Sequence, residues 1–337
     1  MVQSLSSIYG AVAGWRRAWF LRRPGRRRRL DRPVISVGNL RVGGAGKTPI
    51  VEYVARLLVD CGERPAILTR GYGRLLAPAG VTVVSDGTRV LADVETAGDE
   101  PLMLARAVPG AIVAVGTDRY ISGRLAEHKL GATVHVLDDG FQHFQLERDV
   151  DLLVTSEDDL NDRPIPAGRL REGLAAAANA DAAIVDAGYL PAAERVGRAL
   201  GVGRVFFATR LLGPPRMVQG GDTVVVPEKS RVFAVAAIAR PERFFGDLAA
   251  AEWQVVGTMS FRDHHQVSQR DVERIAAAAK SASAAIVLTT DKDAVRFAVR
   301  RLGELPLAAV PLAATVEPAE EFAAWLLDRL RRLERPA

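Results

Sequence analysis

The chain has 337 residues, 48% apolar and 25% charged, which is ordinary for a globular protein with room for two domains. Its single cysteine, Cys61, excludes an intramolecular disulfide and a cysteine-based zinc site and fits a reducing compartment, and no run of 18 apolar residues offers a membrane-spanning helix. The net charge of +5 is lopsided: residues 1–30 hold eight arginines and no acid, so the basic balance belongs to this arm and the rest of the chain is net acidic.

In that arm Leu5, Ile8, Val12, Trp15 and Trp19 recur at helical spacing, with Tyr9 and Phe20 nearby and arginines flanking and following. This is the composition of an interfacial amphipathic helix. Each arginine near an anionic leaflet adds about 1 kcal/mol before screening. A secretory signal would carry its charges before the apolar part, not after it. A helix packed on the protein's own body is the second reading. Nucleic-acid binding by Arg26–Arg29 is the third, and no aromatic-studded basic surface recurs later to support it. Residues 1–30 are therefore expected to be a membrane-surface helix, with an anionic membrane as partner and no nucleic acid.

The centre of the chain is the stretch 34–48. Val34–Val37 reads as a buried strand, Gly43, Gly44, Ala45 and Gly46 as a tight loop, and Ile50, Tyr53, Val54, Leu57 and Leu58 as the apolar face of a helix. Strand, glycine loop, Lys47-Thr48 and helix is the layout of a P-loop. The glycines let backbone amides curl around phosphate oxygens, and the helix N-terminus adds its positive dipole end. Lys47 is expected on the β- and γ-phosphates and Thr48 on Mg²⁺. The position of the usual first glycine is Arg41, so the loop is a variant.

Further along, Pro65–Thr69 reads as a strand, Val81–Ser85 with Asp86-Gly87 as part of a hairpin, and Gly98-Asp99-Glu100-Pro101 as the start of a helix. Strand Ala111–Val115 precedes a helix over Arg119–Leu130. Val134–Asp139 is an apolar strand ending in two carboxylates, the form of a Walker B strand whose acids bind Mg²⁺ directly or through water. Gly140-Phe141-Gln142-His143 follows, where open α/β sheets place ligands. Two more strands, Val150–Thr155 and Ala182–Asp186, flank the charged loop 166–173. From about residue 211 Gly and Pro punctuate the chain, and a fresh α/β alternation begins at Val232. The expected organisation is a first domain over 31–210, a smaller α/β domain over 211–316, and a final helix within 317–337 that packs back on the first. Asp291-Lys292-Asp293 reads as a helix start with solvated charge. The fold class is α/β, a P-loop NTPase-like, mostly parallel sheet flanked by helices.

Six motifs in order carry a resemblance: Ser-Val-Gly-Asn-Leu at 36–40, Gly-Gly-Ala-Gly-Lys-Thr-Pro at 43–49, Arg-Gly-Tyr-Gly-Arg at 70–74, Gly-Asp-Glu-Pro at 98–101, Asp-Asp-Gly-Phe-Gln-His at 138–143 and Arg-Asp-His-His at 262–265. Over nearly its whole length the chain resembles the tetraacyldisaccharide 4'-kinase (lipid A 4'-kinase) family, whose loop also lacks the first glycine. The resemblance implies ATP-dependent phosphorylation of the 4'-hydroxyl of a lipid-linked glucosamine disaccharide 1-phosphate, by a two-lobed peripheral protein at the cytoplasmic face of the bacterial inner membrane. A monomer is expected. The resemblance implies Asp99 as base, partnered by a histidine that falls on His264, with His265 the alternative. It ties Asp138, Asp139 and Glu172 to the metal and the network beside it, and it lines the cleft with Tyr72, Arg119, Gln142 and Arg171. The role of His143 stays open between structural and supporting.

The rival reading is a P-loop GTPase or metallochaperone-type switch. It would want an Asn-Lys-x-Asp string, and Asp291-Lys292-Asp293-Ala294 does not fit.

Overall fold

Helix α1 (Val2–Leu21) precedes an alternation of strands and helices: β1 (Val34–Gly38), α2 (Lys47–Asp60), β2 (Pro65–Thr69), β3 (Thr82–Asp86), α3 (Val94–Ala97), α4 (Asp99–Ala107), β4 (Ile112–Val115), α5 (Arg119–Leu130), β5 (Val134–Asp138), β6 (Val150–Thr155), β7 (Ala182–Asp186), α6 (Leu190–Leu200) and β8 (Val205–Leu212). A second run gives β9 (Arg216–Met217), β10 (Arg231–Ala236), α7 (Pro241–Ala250), β11 (Gln254–Ser260), α8 (Gln269–Ser281), β12 (Ile286–Thr290), α9 (Asp291–Phe297) and β13 (Leu307–Val310). The chain closes with β14 (Leu312–Glu317) and α10 (Ala319–Arg331). This computed structural model describes residues 2–333 apart from 44–45, 72–73, 75, 77–78, 220–221, 264, 266 and 298–301.

The first sheet has nine strands in the order β14-β8-β7-β6-β1-β5-β2-β4-β3, parallel except at its edges, where β14 and β3 run antiparallel. Every residue of β1, β2, β5 and β6 is buried, as expected for strands covered on both faces. α2 lays Ile50, Val51, Val54, Ala55 and Leu58 on one face, and each of the larger four contributes about 1.5–3 kcal/mol by leaving water. The chain runs through β2, β4 and β5 on one side of β1 and through β6, β7 and β8 on the other, so a crevice opens beyond the carboxyl end of β1.

The second sheet has five strands, β11-β10-β12-β13-β9. The chain leaves the first sheet after Leu212 and re-enters it at Leu312, with the amide of Gly213 donating to the carbonyl of Pro311 (2.8 Å) where the two crossings meet. Strand β14 lies inside the stretch expected for the second domain, yet it pairs with β8 in the first sheet. Helix α10 packs Phe322, Leu326 and Leu330 into the core of that same sheet. The ring of Phe322 meets Phe206 edge-on at 5.0 Å.

Helix α1 is seated by its polar face. The Ser6 hydroxyl donates to the carbonyl of Pro164, Gly10 lies against the Pro164 ring, and Arg17 is buried. Its apolar stripe of Leu5, Ile8, Val12 and Trp15 is exposed, Trp15 to 67%. Trp19 departs from that stripe: Phe20 packs against it edge-on and the Arg23 guanidinium sits 5.0 Å above its ring. Among the described residues no helix is long and apolar enough to cross a membrane.

Candidate active site

The carboxyl ends of the first sheet's central strands and of β10 and β12 in the second sheet line one cleft of about 840 Å³ between the lobes. The loop after β1 reaches its floor. A side chain on Gly38 would put its Cβ 2.5 Å from that of Phe141, so the glycine lets the loops after β1 and β5 close on each other. Gly46 caps α2 in the left-handed region (φ 74°), a conformation that favours glycine.

Lys47 stands at the loop's mouth. Its Nζ donates to Asn39 Oδ1 (3.0 Å) and lies 3.3 Å from Asp139 Oδ1. Gly43, Gly46 and Thr48 line the same wall, while Gly44 and Ala45, expected with them, lie outside the described residues.

β5 delivers the two carboxylates expected of it. Asp138 is buried at the strand end and accepts from the Thr69 hydroxyl (3.0 Å). Burial pushes its carboxyl up to about 6, with Glu100 and Asp139 adding to the rise and Lys47 opposing it. Asp139 holds a left-handed backbone (φ 56°), unusual for a non-glycine residue and a form of strain that collects at functional sites. Arg171 donates to its Oδ2 (2.7 Å). Burial pushes this carboxyl up, but Lys47 and Arg171 outweigh it and hold the group below its ordinary value. Its Oδ1 is buried and faces the Lys47 ammonium, with no further hydrogen bond. An all-oxygen set of one hydroxyl and two carboxylates, with Asp139 Oδ1 met by the Lys47 ion pair and by no further hydrogen bond, fits a hard divalent cation such as Mg²⁺.

Gln142 bridges the two loops: its amide nitrogen donates to the Asn39 carbonyl (2.8 Å) and its oxygen accepts from Arg171 (3.3 Å). Arg119, at the start of α5, lines the cleft although nearly buried, and burial together with the neighbouring Arg70 brings it down to about 10. His143 also lines the cleft; burial, then Arg119 and Arg148, push it down to about 4, so it is neutral at pH 7. Tyr72 lies outside the described residues.

Two expectations meet a different arrangement. Glu172 was expected beside the metal. Its carboxylate instead accepts from Arg17 at both oxygens (2.7 and 2.9 Å), and it is absent from the cleft wall. The cause is burial: Arg17 and Glu172 are each under 5% exposed, and a buried charge must be matched. Asp99, the expected base, sits at the N-terminus of α4 and is 7% exposed. Glu100 and Met103 line the cleft from that helix, whereas Asp99 faces α9 and accepts from Arg296 Nε (3.1 Å) and Nη2. His264, its expected partner, lies outside the described residues; its alternative His265 bonds Asp271 (3.0 Å) and stacks on Phe261.

Sequence reasoning missed three contributors. Asn39 ties Lys47 and Gln142 together, and its place in the Ser-Val-Gly-Asn-Leu string was the available signal. Arg17 read as one more basic residue of the arm. Helix α9 read as solvated charge, yet Asp291 and Lys292 line the cleft, Lys292 contacts both Glu100 (3.1 Å) and Asp263 (3.2 Å), and Asp293 and Arg296 are buried.

Comparison with known proteins bears on this arrangement. A family model described as tetraacyldisaccharide-1-P 4'-kinase matches residues 1–331. The tetraacyldisaccharide 4'-kinase of Geobacter metallireducens is 42% identical over 283 residues, 82% of each chain. That of Koribacter versatilis is 37% identical over 332 residues, 94% of each. Among solved structures, LpxK from Aquifex aeolicus, crystallised in complex with ATP, superposes with a TM-score of 0.76 at 30% identity over 98% of each chain.

Proposed function

The chain belongs to the tetraacyldisaccharide-1-P 4'-kinase family, and from that premise we propose how its cleft carries out the reaction. The activity is transfer of the γ-phosphate of ATP to the 4'-hydroxyl of a tetraacyldisaccharide 1-phosphate, a step of lipid A biosynthesis. The bond from the 4'-oxygen to phosphorus forms as the β–γ bridge breaks, and ADP leaves with the bridging oxygen.

Phosphoryl transfer asks mostly for positioning and for charge neutralisation. The loop at Gly43 and Gly46 and the N-terminus of α2 take the β- and γ-phosphates. Lys47 exchanges its contacts with Asn39 and Asp139 for a phosphate oxygen. Thr48, Asp138 and Asp139 would hold Mg²⁺, which supplies the remaining positive charge. Arg171 and Gln142 keep Asp139 and the loop after β1 in place, and Arg119 adds a cation to the cleft wall.

Asp99 takes the proton of the acceptor hydroxyl. Its support is its place at the contact of the two lobes, one residue from the cleft-lining Glu100, together with the family resemblance of the Gly-Asp-Glu-Pro string. The step needs the carboxylate to turn from α9 toward the acceptor. A second reading gives this role to Glu100, because that side chain already faces the cleft. Substituting each separately decides between them: turnover should collapse in Asp99→Ala and persist in Glu100→Gln, and the reverse pattern transfers the role to Glu100.

The exposed stripe of α1 suits an acylated substrate. Seated by its polar face, the helix offers Leu5, Ile8, Val12 and Trp15 to an anionic membrane surface; with the family resemblance, we read the protein as a peripheral monomer at the cytoplasmic face of the inner membrane.

The observation that carries the catalytic reading is Lys47 held between Asn39 and Asp139 at the mouth of a glycine loop, facing a cleft walled by a second lobe. Labelled γ-phosphate should pass from ATP to an acylated disaccharide 1-phosphate in the presence of Mg²⁺. Hydrolysis of ATP with no label in the lipid would overturn the reading.

A further inference from the structure

Arg296 lies in the second lobe at the end of a buried chain of charges that crosses to the first. Its Nε and Nη2 donate to Asp99 Oδ2 on α4, and its Nη1 donates to Asp293 Oδ1 (3.3 Å) and to the carbonyl of His265 (3.4 Å). Asp293 is held in turn: its Oδ2 accepts from the Ala237 amide (2.8 Å) and the Thr290 hydroxyl (2.8 Å), at the ends of β10 and β12. The side chains of Asp293, Arg296 and Asp99 are all under 10% exposed. A second ionic crossing runs beside the first, from Lys292 to Glu100 (3.1 Å). Helices α4 and α9 are thus where the lobes grip each other next to the cleft.

Buried ion pairs are weak evidence for stability, because desolvation offsets most of the attraction. Their better use is to fix geometry. An arginine presents its donors in a rigid fork, so the carboxylate it holds has a defined orientation. This fork gathers three parts of the chain around one carboxylate: α4, α9 and the backbone at His265. Ala237 continues into Ile238, Ala239 and Arg240, which line the cleft, so displacement of that segment pulls on Asp293 and through it on Arg296.

We propose that Arg296, held by Asp293, is a positioning residue for phosphoryl transfer: it sets the orientation of Asp99 and links that orientation to the closeness of the two lobes. This rests on the reading of Asp99 as the base. Arg296 acts through Asp99: it grips Oδ2 and so sets how the carboxylate meets the acceptor hydroxyl when the lobes adjust.

The test is steady-state kinetics on the full-length protein with ATP, Mg²⁺ and the acylated disaccharide 1-phosphate. Arg296→Ala should lower kcat by roughly tenfold or more, with the ~10²–10⁴-fold that a general base supplies as the ceiling, and with the KM for ATP unchanged. Arg296→Lys keeps the charge but not the fork, and it should recover part of the loss; it also carries the test if the alanine variant does not fold. In an Asp99→Ala background the loss from Arg296→Ala should vanish, because a residue acting through Asp99 has nothing left to position. An Arg296→Ala protein with wild-type kcat overturns the proposal, as does a loss that persists undiminished without Asp99. Failure of the underlying reading has a different signature: Asp99→Ala alone would then turn over normally.

Discussion

Arg17, on the helix that opens the chain, and Glu172, on the loop that carries Arg171, form a buried two-point ion pair with contacts of 2.7 and 2.9 Å. The Arg17 guanidinium also lies 4.3 Å over the Phe141 ring and donates to the Phe141 carbonyl (3.3 Å). The helix is therefore fastened to the segment between Asp139 and His143. Removing one member of such a pair leaves a buried charge and costs about 3–5 kcal/mol. Arg17→Ala and Glu172→Ala should each lose stability on that scale in urea unfolding, and Arg17→Met with Glu172→Met together should recover much of it. Glu172→Gln should leave the Mg²⁺ requirement of turnover unchanged. A raised requirement would return Glu172 to the metal set.

Lys47 is expected to act in catalysis rather than in folding. It is 12% exposed at the side chain; without it Asp139 keeps Arg171 and the Asn39 backbone carbonyl keeps Gln142. Lys47→Ala should lower kcat/KM for ATP on the order of 10²-fold, the scale of losing one preorganised charge donor, while the melting temperature stays near that of the parent. Equal losses of activity and stability would mark Lys47 as structural.

The fold was largely legible in the sequence because its signals are local. The apolar run at 34–37, the glycines beyond it and the helical spacing from Ile50 sit within one short stretch, and the carboxylates at 138–139 end a strand recognisable by its own composition. What the sequence hid depends on distant partners. Arg17 and Glu172 are 155 positions apart, and Asp99 and Arg296 are 197 apart, so no spacing rule connects them. Helix α9 opens with Asp-Lys-Asp, which reads as a solvated start until the first lobe packs over it. Strand β14 has the same apolar texture as the strands before it, and only its pairing with β8 assigns it to the first sheet.

Asp291 gives the protein a pH dependence. It opens α9, and burial pushes its carboxyl up to about 6 from the ordinary 3.8, with Arg216 opposing the rise and Glu52 adding to it. A raised folded-state value means the folded form prefers the neutral acid. Below pH 3.8 both states are protonated and the residue carries no penalty. As pH rises through about 6 the folded state must hold a buried charge, and that share of stability is lost, at most about 3 kcal/mol. Asp291→Asn should therefore stabilise the protein at pH 7 and do nothing at pH 4, with the gain appearing between those values in urea unfolding. A gain that is flat with pH would show that titration of Asp291 is not its cause.

The outward stripe of α1 yields the last expectation. Leu5, Ile8, Val12 and Trp15 are each more than half exposed, so replacing them costs little stability, within about 0.5 kcal/mol for surface positions. Burying each in a bilayer interface contributes about 1.5–3 kcal/mol if fully withdrawn from water. Glutamates at Ile8 and Trp15 remove two such terms and add repulsion from an anionic leaflet. The double variant should float with anionic vesicles on the order of 10²-fold less well than the parent, with its thermal unfolding unchanged. Because Ser6, Gly10 and Arg17 seat the opposite face, the variant keeps the helix in place, so its ATP affinity should also match the parent's. Flotation equal to the parent would deny the stripe any part in membrane docking.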